Sequence, residues 1–368
     1  MKHTIILALL TFLPWLGVKA QFNTSRLIIS GRSALYYEDY VLSIQYFNQA
    51  ITAKPHLYEP WFYRGLAKFY LDDFEGAEDD VTHAIELNPY ISNMYELRGL
   101  ARIRTKNFTG AISDYDHSLA INPHNQSAWY NRALCRVETK DYDRAQLDLD
   151  TITTKWKKFA GAYSMKAEVF LMQKDTTAAV EWLDRSIDID PYDAATWTAK
   201  AMISLARSKW KDADEALSKS LHLKPKNVNN YVNRALARYN TNNLRGAMAD
   251  YDMAIDLDPD NFLAHYNRGL LRMQLGDDNR AIIDFDYVIR MEPHNVLAIF
   301  NRALLLDRTG NLRAAIRDYS DVIAQFPNFW TGLSRRAACY RRLGMTAKAE
   351  VDEFRIMKAQ MDKHLGIQ

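Results

Sequence analysis

The residues best equipped for chemistry here are histidines, paired carboxylates and two cysteines, and their spacing does not assemble a reaction centre. His56, His124 and His294 each follow a proline. A metal site needs its ligands to converge on one ion; these recur at long intervals and are expected to be plain loop histidines. Asp72-Asp73 and Asp277-Asp278 fall in polar breaks and fit solvated turns better than acid–base catalysis. There is no glycine-rich phosphate loop, no His-Glu-x-x-His helix and no Gly-x-Ser-x-Gly elbow. The reading is of a chain that is not an enzyme and carries no cofactor or metal.

A more regular chemistry lies elsewhere. Asn131-Arg132, Asn233-Arg234, Asn267-Arg268 and Asn301-Arg302 share one register, and Arg64, Arg98 and Arg336 hold its arginine position. Asp80, Asp114, Asp148, Asp250, Asp284, Asp318 and Asp352 form a second register. Matched ladders of this kind predict arginine–aspartate pairs between packed helices, a structural contact before a ligand site. Phe62, Tyr130, Tyr266 and Phe300 occupy the position before the asparagines.

The elements that position these side chains follow from proline. Pro55, Pro89 and Pro123 are 34 residues apart, as are Pro191, Pro225, Pro259, Pro293 and Pro327, with one missing beat at Lys157. Proline cannot donate the bond that continues a helix, and it biases its predecessor away from the α conformation. Each therefore stops a helix at the same point of a repeated unit. Before Pro259, Ala247, Tyr251, Ala254, Ile255 and Leu257 give an amphipathic helix; upstream lie a polar break at 240–243 and another helix from Val232 to Tyr239. Each unit is thus helix, turn, helix, proline, too short to bury both helices without its neighbours.

A bulky residue recurs at Trp61, Tyr95, Trp129, Tyr163, Trp197 and Tyr231, with a small one four later, from Gly65 and Gly99 to Ala303 and Ala337. Alanine recurs from Ala77 to Ala349, followed four later by Tyr115, Leu149, Tyr251, Phe285 or Tyr319. This pattern resembles the tetratricopeptide repeat family over residues 24–363. The resemblance implies an all-α fold, a right-handed α-solenoid or superhelix of about ten 34-residue helix-turn-helix repeats. It also implies that the first helices line a concave groove, where Asn131, Asn233, Asn267 and Asn301 would bond an extended peptide and Phe62, Tyr130, Tyr266 and Phe300 would add apolar contact. The lysine–asparagine–arginine set with which some members hold a terminal carboxylate is not found; Leu66, Leu100, Leu134, Leu236, Leu270 and Leu304 fill its other register.

Departures from the pattern divide the array. The first window carries Leu27 and Ser43 and is expected to cap one end. The fourth ends in Thr153-Thr154-Lys155-Trp156-Lys157-Lys158, the expected place for a change of curvature, with the basic run as a solvated loop. The fifth and sixth have Trp182 and Ala216 where others have an acid. The expected organisation is repeats 1–4 over residues 24–159 and repeats 5–10 over 160–363. In the last repeat, Lys348, Glu350, Asp352, Glu353, Arg355, Lys358 and Lys363 would form the outer face of a capping helix.

The first twenty residues are unlike the rest. Lys2 and His3, an apolar run from Ile5 to Leu16, and Val18-Lys19-Ala20 have the layout of a secretory signal peptide, residues 1–20. Export to a periplasm or the exterior is expected, with no transmembrane segment in the mature chain and no cysteine at the cut for a lipid. Asn23, Asn107 and Asn125 begin N-x-S/T sequences. The full chain has a formal charge of +2, and loss of residues 1–20 leaves 45 bases against 45 acids. This balance offers no general attraction for nucleic acid. Cys135 and Cys339 are 204 residues apart, six repeat lengths, so two buried free thiols are expected. The functional expectation is a non-catalytic scaffold binding a protein or peptide partner, with self-association open. The alternative is a carbohydrate- or wall-binding module using Tyr130 and Tyr266 as sugar platforms.

Overall fold

The structure, a computed structural model, describes residues 23–364, with side chains as far as 361. The expected signal peptide lies outside the described residues, as does the Lys363 side chain. The described residues form two compact units, one ending at Gln173 and the other beginning at Lys174. The described residues form twenty helices and no strand.

In the first unit these are α1 (Thr24–Tyr36), α2 (Tyr40–Ala53), α3 (Tyr58–Tyr70), α4 (Phe74–Leu87), α5 (Ser92–Arg104), α6 (Phe108–Ile121), α7 (Gln126–Glu138), α8 (Tyr142–Lys155) and α9 (Ala160–Met172). In the second they are α10 (Thr176–Ile189), α11 (Ala194–Ala206), α12 (Trp210–Leu223), α13 (Val228–Asn240), α14 (Leu244–Leu257), α15 (Phe262–Gln274), α16 (Asp278–Met291), α17 (Val296–Arg308), α18 (Leu312–Gln325), α19 (Trp330–Arg342) and α20 (Thr346–His364). Odd-numbered helices all begin 34 residues apart, and so do even-numbered ones, giving ten helix pairs in an all-α solenoid.

Local chemistry sets these boundaries. Asp73, Asn107 and Asn243 cap second helices, each accepting from the backbone N–H three residues on at 3.0–3.1 Å. Asn125, Asn261 and Asn295 do the same for first helices. The first helix ends in a left-handed residue repeated every 34 positions, from Glu38 and Asp72 to Gly276, Gly310 and Gly344. That residue lets the next N–H reach five residues back, as Asp141 does to the Arg136 carbonyl at 2.8 Å, and so turns the chain into the second helix.

Small residues let paired helices meet. A Cβ at Gly65 would lie 2.7 Å from Val81, and one at Gly99 would lie 2.9 Å from Tyr115. Ser43, in the alanine register, is buried and satisfies its hydroxyl on the Gly31 carbonyl at 2.9 Å. Cys135 and Cys339 are buried free thiols, one in each unit. Burial pushes both up to about 12, which keeps them protonated and unreactive at neutral pH.

The bulky register does more than fill space. Indole Nε1 of Trp61, Trp129 and Trp197 donates to the carbonyls of Pro55, Pro123 and Pro191, each at 3.0 Å. The Tyr95 hydroxyl donates to Pro89, and His265 Nε2 lies 3.0 Å from the Pro259 carbonyl. Each ring thereby satisfies a carbonyl in the loop before its own helix. At the missing proline, the Tyr163 hydroxyl makes the same bond to Lys157 at 3.1 Å, and α8 stops at Lys155, in phase with its counterparts. The loop at 153–158 therefore keeps the ordinary exit geometry without proline.

The terminal helix departs from the expected capping pattern. Asp352 does not face outward: it is buried and accepts from Arg336 at 2.8 and 2.7 Å, because it belongs to the aspartate ladder. The exposed side of α20 carries Lys348, Glu350, Arg355 and Lys358, as expected, together with Val351, Phe354, Met357 and Met361. No helix among the described residues is long and apolar enough to cross a membrane.

Candidate partner-binding face

The arginine and aspartate ladders meet, and the arginines are fully engaged. In the first unit, Arg64, Arg98 and Arg132 bond Asp80, Asp114 and Asp148, with shortest distances of 2.6, 2.6 and 2.7 Å. In the second, Arg234, Arg268, Arg302 and Arg336 bond Asp250, Asp284, Asp318 and Asp352 at 2.7, 2.7, 2.7 and 2.7 Å. Each guanidinium also reaches the second helix of the preceding repeat: Arg132 to Asp116, Arg268 to Asp252 and Arg302 to Asp286 at 2.6–2.8 Å. One planar fork thus ties three helices together, leaving little capacity for a ligand.

The ladder varies with its donor count. Burial raises the Asp284 carboxyl, but His265, Arg268 and Arg272 more than reverse this and leave it below the usual carboxylate range. At Asp318, burial wins over the bonds from Arg302, aided by nearby Asp321 and Asp286, and the carboxyl stays above that range. The difference is Ile299 and Leu306, which stand in the registers of His265 and Arg272 and donate nothing. Where the aspartate is missing, lysine replaces arginine and keeps the backward bond: Lys166 pairs with Asp150, and Lys200 with Asp184 at 2.6 Å.

The candidate ligand residues lie one register away, and all eight are half-buried. In the first unit Phe62 is on α3, while Tyr130 and Asn131 are on α7. Phe62 packs over the Val81, Ala84 and Ile85 cluster. Tyr130 meets Phe159 edge-on at 5.1 Å. Burial pushes the Tyr115 hydroxyl up while Asn131 opposes the shift, yet that hydroxyl has no partner in hydrogen-bond geometry. Glu96, bonded to Ser118 and Asn125, interrupts the aromatic register between Phe62 and Tyr130.

The second unit gathers the rest. Asn301 donates to the Tyr266 hydroxyl at 3.2 Å, joining two candidate residues from successive repeats. Phe300 packs between Tyr319 and Phe329, 6.0 and 4.9 Å away. Asn233 lies 3.4 Å from the Met202 sulfur. The Asn267 amide forms no hydrogen bond with the described residues. On α15, Leu263, Tyr266, Asn267 and Leu270 fall on one helical face at i, i+3, i+4 and i+7; Leu297, Phe300, Asn301 and Leu304 repeat it on α17.

That face is apolar yet incompletely covered. Leu297 is 64% exposed, Leu263 50%, Met202 46% and Leu236 40%. The sequence places Leu236 in the clamp register and does not single out Leu263 or Leu297, whose exposure only the structure shows. Tyr130 and Tyr266 are both packed against core neighbours, so nothing favours them as open sugar platforms. His56, His124 and His294 are exposed in separate loops. Asp73 caps a helix and Asp278 pairs with Arg308. Asn23, Asn107 and Asn125 are all helix N-caps. Among the described residues no group of three or more His, Cys, Asp or Glu side chains could hold a metal ion.

A solenoid of stacked helix pairs with an engaged polar ladder is an interaction scaffold in general character, and the fold is typically non-catalytic. Comparison with known families gives a tetratricopeptide repeat match at residues 130–194 and 300–362, and a TPR repeat match at 235–276. These matches, with the ten helix pairs, support a multi-repeat protein of the tetratricopeptide repeat type. Similar solved structures include a tetratricopeptide repeat protein from Parabacteroides merdae, 17% identical, covering 68% of this chain and 98% of that one, TM-score 0.48. Another is the C-terminal part of a TPR repeat-containing protein from Cytophaga hutchinsonii, 15% identical, covering 74% and 98%, TM-score 0.45. Yeast Tom70 is 16% identical, with coverage of 94% and 89% and a TM-score of 0.39. The search of curated proteins gave no match.

Proposed function

We propose that this chain is a non-catalytic scaffold that binds an extended peptide segment of a protein partner along the first-helix faces of its repeats. The observation that carries the proposal is the face of α13, α15 and α17. There, the Asn233, Asn267 and Asn301 amides retain bonding capacity beside exposed Leu236, Leu263 and Leu297. Extended peptides need both kinds of contact: directed bonds to their backbone and apolar cover for alternate side chains. The N-terminal segment with signal-peptide layout supports a setting outside the cytoplasm.

The test is affinity capture with the mature chain followed by mass spectrometry, then titration of the recovered partner. Replacing Asn233, Asn267 and Asn301 together by Ala loses about 1 kcal/mol per hydrogen bond, or about a hundredfold in affinity for three. Circular dichroism of the variant should be unchanged, since these amides tie few elements together. Undiminished capture would refute the proposed role of the amide row.

A further inference from the structure

The far end of the same face differs from the rest. On α15, α17 and α19, Met273, Leu304, Asp307, Arg308, Arg335 and Arg342 line a cavity of about 390 Å³. Arg335 takes in α19 the register that Asn267 and Asn301 take in α15 and α17. It is exposed and has no hydrogen bond or ion pair among the described residues. Arg308 gives Nε and Nη2 to Asp278 and the Met273 carbonyl, leaving Nη1 unused. Arg342 gives Nη1 to Asp307, leaving Nε and Nη2.

The balance of charge is therefore unlike that of the ladder. Asp278 and Asp307 are both largely buried and occupied, and together they neutralise two of three guanidinium groups. The remaining positive charge and unused N–H groups surround an opening whose apolar lining is Met273 and Leu304. A guanidinium binds an oxyanion through paired N–H donors, and a low-dielectric wall strengthens that bond.

We infer that this cavity takes an acidic side chain of the bound peptide, its carboxylate on Arg335 and Arg342 and its neighbouring apolar residue on Leu304 and Met273. The inference rests on the peptide-binding reading above and adds to it the partner's chemistry. The partner segment carries an acidic residue where its chain passes α19, beside apolar residues that lie over α15 and α17.

The experiment uses the full mature chain and two fluorescent peptides, acetylated and amidated to remove terminal charge. One alternates leucine with glutamate, the other leucine with glutamine. Anisotropy should show the glutamate peptide binding about tenfold tighter, the worth of one charge-assisted contact. Arg335→Ala should erase the preference, and Arg341→Ala, whose side chain pairs with Glu353 outside the cavity, should keep it. Inorganic phosphate should displace the glutamate peptide where chloride at equal ionic strength does not. Tighter binding of a phosphoserine version would assign the oxyanion to a phosphorylated residue instead of a carboxylate and overturn that part. Equal affinities for the two peptides, or a preference surviving Arg335→Ala, would overturn the cavity assignment while leaving peptide binding intact. Failure of the peptide-binding reading would look different: both affinities would be indifferent to the triple asparagine variant.

Discussion

Asp284 and Asp318 occupy the same register, are both buried, and should respond differently to the same substitution. Asp284 accepts from Arg268 Nη2 at 2.7 Å and Arg272 Nη1 at 2.7 Å, with His265 Nδ1 3.4 Å away. Asp284→Asn leaves Arg268 with Asp252 at 2.8 Å but leaves Arg272 with only the more distant Asp252, 4.0 Å away, in place of its 2.7 Å partner, a loss of about 3 kcal/mol. Asp318 accepts only from Arg302, at 2.7 and 2.8 Å, and Arg302 retains Asp286 when Asp318 is neutralised. Asp318→Asn should therefore cost about 1–2 kcal/mol, one weakened charge-assisted bond. The pH dependence has opposite signs. The Asp284 carboxyl is lowered on folding, so its contribution is present above the unfolded value of about 3.9 and lost as pH falls through the folded value. The Asp318 carboxyl is raised, so its contribution is present below about 3.9 and lost as pH rises through the folded value. Repeat arrays open in parts, so the assay is amide hydrogen exchange in α16 and α18 at pH 7, with denaturant midpoints followed from neutral pH to well below the unfolded carboxylate value of about 3.9. Equal loss of protection in the two variants, or a larger loss at Asp318→Asn, would refute the account by donor number.

Other consequences follow from packing and backbone. The Tyr319 hydroxyl is buried without a hydrogen-bond partner, and Phe285 fills the same register, so Tyr319→Phe should raise stability by about 1 kcal/mol, seen as a higher Tm; a fall would reveal a bond to that hydroxyl. Ala247 is fully buried, and Ala247→Leu should overpack its layer at a cost of about 1–3 kcal/mol; an unchanged Tm would misplace that residue. Gly276 has φ +78° with open space where a side chain would go, so Gly276→Ala should cost about 1 kcal/mol from backbone strain alone. A gain in denaturant midpoint there would contradict the left-handed turn.

The solenoid was legible because its determinants recur. A proline lattice fixes where second helices end, and the small and bulky registers fix which faces meet. The ladder was legible for the same reason: arginine and aspartate keep one separation in seven repeats, and every such pair is formed. What stayed hidden depends on geometry that residue type does not encode. Glu38, Asp72 and Lys106 adopt the left-handed turn without resembling glycine, and the turn survives because the next helix holds it. Bonds from Trp61, Tyr95 and His265 to loop carbonyls need the fold before they can be seen. The cavity at Arg335 was hidden more deeply. Its arginines come from two different registers, Arg308 and Arg342 from one and Arg335 from another, so no single repeated position announces it.

Adjacent positions in one helix point about 100° apart. In Asn267-Arg268 and Asn301-Arg302, this separates two functions that the sequence writes as a single dipeptide. The arginine is directed between helices, where its donors are consumed by two carboxylates from different repeats. The asparagine is directed toward a face that the described residues cover only in part. The sixth repeat shows that the two can be uncoupled. Lys200 replaces arginine, Ala216 replaces aspartate, and the backward bond to Asp184 persists at 2.6 Å. With the buried acid absent, no second counter-charge is required, and a lysine that reaches one carboxylate suffices. Transplanting that solution to the eighth repeat, Arg268→Lys with Asp284→Ala and Arg272→Ser, keeps Asp252 as the backward partner and should therefore cost less than Asp284→Ala alone, which removes the nearest carboxylate from both Arg268 and Arg272. It should also leave Asn267 free to bond a peptide. If the combined variant instead loses peptide binding while its helices stay protected, the ladder shapes the binding face directly, and the separation of the two registers is wrong.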